Sequence, residues 1–413
     1  MFLQFKNDKT ALTATLILFA LGISILAYTS ISRDTPITKN SPERPSPPKK
    51  YETELRMQNT GESIDEYVRN QMAVCYETGG ENGCYKKIGD LFYDQFGLAR
   101  MITTLEQNEK YPEVYARCHE VTHYLGRHEY TETKNIGEAF ASCTSICHGG
   151  CFHGILEGYF DEHKEPFLSH EAVLARDIST ICGKQSDYVI PWLYNECVHG
   201  IGHGAMFIND MDLLHSLKLC DLLPSGEKQT CYGGVFMENS SSATNQNHPT
   251  NYLRKDDLMY PCSILEDKYL DTCYRYQSSY FAELTHWDWQ KTIDLCMQIP
   301  EIYRRGCLSI VGSNQVGYTQ DKNVMRDNCK LAPTPALRNE CVRGVMTSFG
   351  GRFINTPTHL IEFCSIVDKE NKETCYGRMS EILSAWGLDN VKKKGVCENI
   401  TDKDFVAACI QRN

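Results

Sequence analysis

The sequence predicts an all-α protein made of about ten 34-residue helical hairpins, each closed by a disulfide, after an N-terminal transmembrane helix. Three observations carry this expectation: a periodic set of cysteines, a second set placed a short gap before the first, and one uncharged apolar run near the N-terminus. The periodic set is Cys84, Cys118, Cys151, Cys197, Cys231, Cys273, Cys307, Cys341, Cys375 and Cys409, each followed by apolar or small residues. The intervals are 34, 33, 46, 34, 42, 34, 34, 34 and 34 residues. A fixed period of this length marks a stack of supersecondary units, and the two longer intervals read as loop insertions.

Nine further cysteines, Cys75, Cys143, Cys182, Cys220, Cys262, Cys296, Cys329, Cys364 and Cys397, each precede a member of that set. In the later units Pro300, Pro333 and Pro335 fall between the two cysteines and break the helix there. Each unit therefore reads as one helix ending near its first cysteine, a tight connection, and a second helix starting near the other. A bridge across such a hairpin is sterically reasonable because the two helix ends meet. Nine pairs follow, and elimination leaves Cys118 with Cys147.

Thr10 to Ser32 carry no formal charge and are long enough to cross a hydrocarbon core. With no small-x-small cleavage site after the run, residues 10–32 read as an uncleaved transmembrane signal anchor. Residues 1–9 then form a short cytoplasmic N-terminus, 33–50 a Pro/Ser/Lys-rich linker, and 51–413 the folded repeat domain. All 20 cysteines follow the anchor, and the number is even. That implies an oxidising compartment, and so a membrane-anchored, single-pass protein with its folded domain periplasmic or extracellular. The net charge of -11 leaves no basic footprint, which excludes a nucleic-acid partner.

A 34-residue period built from two helices resembles the tetratricopeptide class of α/α repeats, and the bridges within repeats resemble its cysteine-rich secreted relatives. The likeness spans residues 70–413 and rests on period and helix count, since the Trp-Leu-Gly signature of that class is absent. It implies an α/α superhelical solenoid whose groove takes a peptide, protein or glycan, a scaffold role common for the class.

Chemistry-bearing residues concentrate in residues 112–210. Aligned on its cysteine, the Cys118 unit reads C-H-E-V-T-H, the Cys151 unit C-F-H-G-I-L-E, and the Cys197 unit C-V-H-G-I-G-H. His119 and His123, His153 and Glu157, and His199 and His203 are thus each spaced i, i+4 on one helical face. Nine of the thirteen histidines lie between His119 and His203, which localises the candidate site. His148 joins it if Cys118 bridges Cys147. Imidazoles with one carboxylate suit zinc, iron or copper rather than calcium or magnesium, and the number of donors allows one or two ions. A redox or hydrolytic activity fits such a site, with the nearby glycines leaving room for a substrate.

His119-Glu120-Val121-Thr122-His123 also resembles the HExxH motif of zinc metallopeptidases, which implies His119 and His123 as ligands and Glu120 as catalytic base. Gly126 fits the longer metzincin pattern, but His128 comes one residue early, a shift of about 100° around the helix. The alternatives to a membrane-anchored metalloprotein are therefore a zinc peptidase and a metal-free repeat scaffold. His163, His170, His215, His248, His286 and His359 read as packing or surface residues.

Overall fold

The computed structural model describes residues 63–78, 83–115, 117–144, 146–163, 170–241 and 250–411, and every regular element among them is helical. Most repeats open with a short outer helix. Its start is fixed by an aspartate that accepts a first-turn backbone N–H: Asp212 from Leu214, Asp288 from Lys291, Asp321 from Asn323 and Asp389 from Lys392. These side chains satisfy donors that a helix N-terminus leaves without intrahelical partners. The outer helices bury a single stripe, as Trp289, Thr292, Ile293 and Cys296 do in Trp289–Cys296.

The second helix of each repeat carries the periodic cysteine. In chain order these are α1 (Cys84–Phe96), α2 (Cys118–Thr133), α3 (Gly150–Glu162), α4 (Pro191–Ile208), α5 (Lys228–Ser241), α6 (Asp267–Leu284), α7 (Arg304–Tyr318), α8 (Pro335–Arg352), α9 (Lys369–Ala385) and α10 (Val406–Gln411). Each packs on the next, giving one continuous row. A helix in the middle of the row is covered on two sides: α3 buries Phe152, Ile155, Leu156 and Phe160, but also His153 and Glu157. Polar side chains on this row are buried by position and need partners.

Ten disulfides brace the array, with Cα separations between 5.4 and 5.9 Å. Nine close the hairpins on the pairs that the cysteine spacing predicts. The tenth is Cys118 to Cys147. The outer helix Leu98–Asn108 has no cysteine, so α2 is fastened instead to the turn Ile146–Gly149 that leads into α3.

Distant repeats also meet. Arg352 at the end of α8 forms an ion pair with Glu109, 243 residues earlier, and both side chains are nearly buried. Ile190 and Trp192, at the start of α4, pack on the C-terminal core cluster, with Trp192 against Gly351.

The disulfide-bridged helical-hairpin solenoid is thus present, but the membrane-related expectations are corrected. No helix among the described residues is long and apolar enough to cross a membrane. Residues 10–32, where the anchor was expected, lie outside the described residues, as do 1–9 and 33–50. Among the described residues the fold is the helical array, and the transmembrane helix, the membrane as partner and the membrane-anchored placement are withdrawn.

Candidate metal centre

Two inner helices approach so closely that side chains are excluded between them. A Cβ on Gly126 of α2 would overlap the carbonyl of Cys151, and one on Gly154 of α3 would overlap the carbonyl of His123. Glycine is therefore required at both crossings. At Gly154 the space is filled by the backbone of His123, so this glycine serves the approach of a neighbouring helix rather than room for a substrate. Close contact of α2 with α3 brings His119 and His123 from one helix against His153 from the other. Ring centroids are 4.7 Å apart for His119 and His123, and 5.3 Å from each of these to His153.

The ring nitrogens divide their work. Nδ1 of His119 lies 2.8 Å from the carbonyl oxygen of Cys147, and Nδ1 of His123 lies 2.8 Å from Oε1 of Glu157. Neither the carbonyl nor the ionised carboxylate has a proton to give, so each Nδ1 donates, and a ring in its neutral form then has its lone pair on Nε2. Those two Nε2 atoms face each other at 3.1 Å. Two lone pairs at that distance repel unless a proton or a cation sits between them. A tetrahedral ion with nitrogen ligands at about 2.0–2.1 Å places them about 3.3 Å apart, close to what is seen.

A proton would complete the pair but leave the third ring without a role. His153 is 4% exposed, and its Nδ1 is buried with no hydrogen-bond partner among the described residues. Leaving such a group unsatisfied costs about 1–3 kcal/mol. One nitrogen each of His119, His123 and His153 lie within 4.8 Å of one another, a spacing that can hold a metal ion.

Electrostatics act on the donors in opposite directions. Burial, helped by the surrounding histidines, pushes the His153 imidazole well below its ordinary value, so it is neutral with a lone pair to offer. Burial also pushes His123 down, but the charge and hydrogen bond of Glu157 outweigh it and the net shift is upward. For Glu157 itself burial acts upward, yet His123 and Arg127 bring the carboxyl down to about 2. Arg127 Nε donates to Glu157 Oε2 at 2.7 Å. Both carboxylate oxygens are therefore engaged, which sets Glu157 behind His123, where it orients the ring, a common position for an outer partner of a metal ligand.

His199 and His203 lie on α4, one helix further along the row. His203 stacks on His153 with centroids 3.9 Å apart, whereas His199 is 6.5 Å from it. Glu120 points elsewhere: its carboxylate is 3.4 Å from Arg117, on the flank of α2. His128 bonds Asp90 and stacks on Tyr93, away from the cluster. The side chain of His148 lies outside the described residues. Glu109, Cys118 and Cys147 also gather within ligand distance of one another, but the two sulfurs are joined in a disulfide and offer no thiolate. His163, His215 and His359 have local partners in Tyr159, Asp212 and Phe353.

Sequence reasoning missed Arg127 and the Cys147 carbonyl as supports of the site. Glu157 had a signal that was not used: it follows His123 by 34 residues, one repeat length.

No family model, curated protein or solved structure matches the chain. What stands is the architecture, a cysteine-rich, disulfide-braced all-α repeat; neither the tetratricopeptide class nor the zinc-peptidase motif is shown. With no membrane-crossing helix among the described residues, the membrane-anchored metalloprotein is corrected to a disulfide-stabilised helical scaffold that carries potential metal-coordinating clusters.

Proposed function

We propose that this chain is a disulfide-braced helical-repeat scaffold whose central repeats can hold a transition metal at His119, His123 and His153. The observation that carries the reading is the convergence of the His119 and His123 Nε2 atoms, 3.1 Å apart, with a third, buried imidazole within ligand distance. Imidazole donors favour zinc, copper or iron over calcium and magnesium. The three ligands come from two helices locked by reciprocal glycines and by the Cys118–Cys147 bridge, so the geometry is preorganised and an ion would tie adjacent repeats together.

Calorimetric titration of the chelator-stripped full chain with zinc sulfate tests this. The native chain is expected to bind zinc, and Glu157→Gln to bind it roughly 10–100-fold more weakly with unchanged helical content, as for loss of an outer partner. No uptake of zinc, copper or ferrous iron by the native chain contradicts the metal assignment and leaves the scaffold.

A second reading concerns the scaffold's surface. A groove of about 590 Å³ runs past Asp271, Arg275, Arg305, Asn339, Glu340 and Arg343 on α6, α7 and α8. Its lining is polar and carries both signs of charge, which suits a polar ligand such as a charged peptide or a glycan.

A further inference from the structure

We propose that His199 and His203 form a second metal half-site, so that the inner row can hold two ions, one on either side of His153. The inference extends the metal reading of the first site to an internal copy of it, and rests on that reading.

The copy is close in its ring geometry and in its reciprocal glycine packing. Nε2 of His199 and Nε2 of His203 face each other at 3.2 Å. Nδ1 of His203 lies 2.7 Å from Oε2 of Glu238. The second pair therefore repeats the first in its carboxylate-backed ring and in the inner nitrogens turned together. Glu238 follows His203 by 35 residues, as Glu157 follows His123 by 34. Packing repeats as well. A Cβ on Gly202 of α4 would overlap the Cys231 carbonyl, and one on Gly234 of α5 would overlap the His199 carbonyl.

A third helix pair in the same chain separates packing from ligation. Gly312 of α7 and Gly344 of α8 make the same reciprocal approach, onto the carbonyls of Cys341 and Ser309. At the positions matching His199, His203 and Glu238, counted from Cys307 and Cys341, this pair has Ser309, Ser313 and Ser348. Close packing of two inner helices thus proceeds without imidazoles or a carboxylate. Their presence in the two central pairs calls for another cause, and coordination supplies it. His153, with its unsatisfied Nδ1, stands between the two pairs and stacks on His203.

The two sites differ in strength. The first has three protein nitrogens within ligand distance of one another, and the second contributes two, with solvent or a ligand to complete its shell. Loading is expected to be sequential, with the first ion bound more tightly.

Zinc sulfate titration of the full chain, followed by calorimetry and by metal analysis after dialysis, tests the inference. The native chain is expected to take two equivalents in two steps. His199→Ala/His203→Ala is expected to keep the tight step and lose the weaker one. Glu238→Gln, milder for the fold, is expected to weaken only the second step, by roughly 10–100-fold. A single equivalent in the native chain, unchanged by these substitutions, overturns the second site and leaves the first standing. Two equivalents of which neither responds to the substitutions also overturn it. No zinc bound at all removes both sites.

Discussion

Alanine at both His119 and His123 is expected to weaken zinc binding at the first site by about ten-thousandfold. Outer partners of metal-bound histidines are worth roughly 10–100-fold in affinity. A ligand is worth at least the upper figure, and this variant removes two of the three that lie within ligand distance. Thermal unfolding gives a second readout. An ion that binds only the folded chain, present at a thousandfold excess over its dissociation constant, stabilises by about 4 kcal/mol. The native chain is expected to melt at a higher temperature with zinc than without it, and the variant to show a clearly smaller rise, from the second pair alone. A rise of equal size in the variant would place the stabilising ion elsewhere.

Gly154→Ala is expected to cost about 3 kcal/mol of stability, at the upper end for an overpacked site. Alanine is the better helix former by up to about 1 kcal/mol, so propensity alone predicts the opposite sign. Packing decides, because the added Cβ would meet the backbone of His123 rather than a side chain that can rotate away. To make room, α3 must withdraw from α2, which moves His153 away from His119 and His123. Zinc affinity is expected to fall together with stability. Gly395→Ala is the control: it lies in the helix Asn390–Cys397 with nothing within 4 Å of its added Cβ. There propensity acts alone, and the change is expected to be neutral or stabilising. Chemical denaturation of the two variants beside the native chain reads both signs.

The cysteines made the fold legible. A bridge at the hairpin end of nearly every repeat leaves a periodic mark in the sequence, and even the exception, Cys118 with Cys147, follows by elimination. The histidine pairs were legible too, because i, i+4 spacing on a helix survives any tertiary arrangement. What spacing does not contain is the offset between neighbouring helices. That offset is set by where glycine lets two backbones touch, at Gly126 and Gly154, and it makes Glu157 a support for His123 while bringing His153 to the pair. The motif spelling likewise says nothing of what Glu120 meets: its carboxylate lies 3.4 Å from Arg117. The membrane expectation rested on residues 10–32, outside the described residues, and no described helix replaces it.

The shared aim of three imidazoles at one ion is tested most directly by X-ray absorption at the zinc edge, on the full chain loaded with one equivalent of zinc. The account predicts a shell of nitrogen ligands at about 2.0–2.1 Å with the outer scattering of three imidazole rings, lost in His119→Ala/His123→Ala. A shell of oxygen or sulfur without imidazole scattering, or a spectrum that the substitutions leave unchanged, would contradict it.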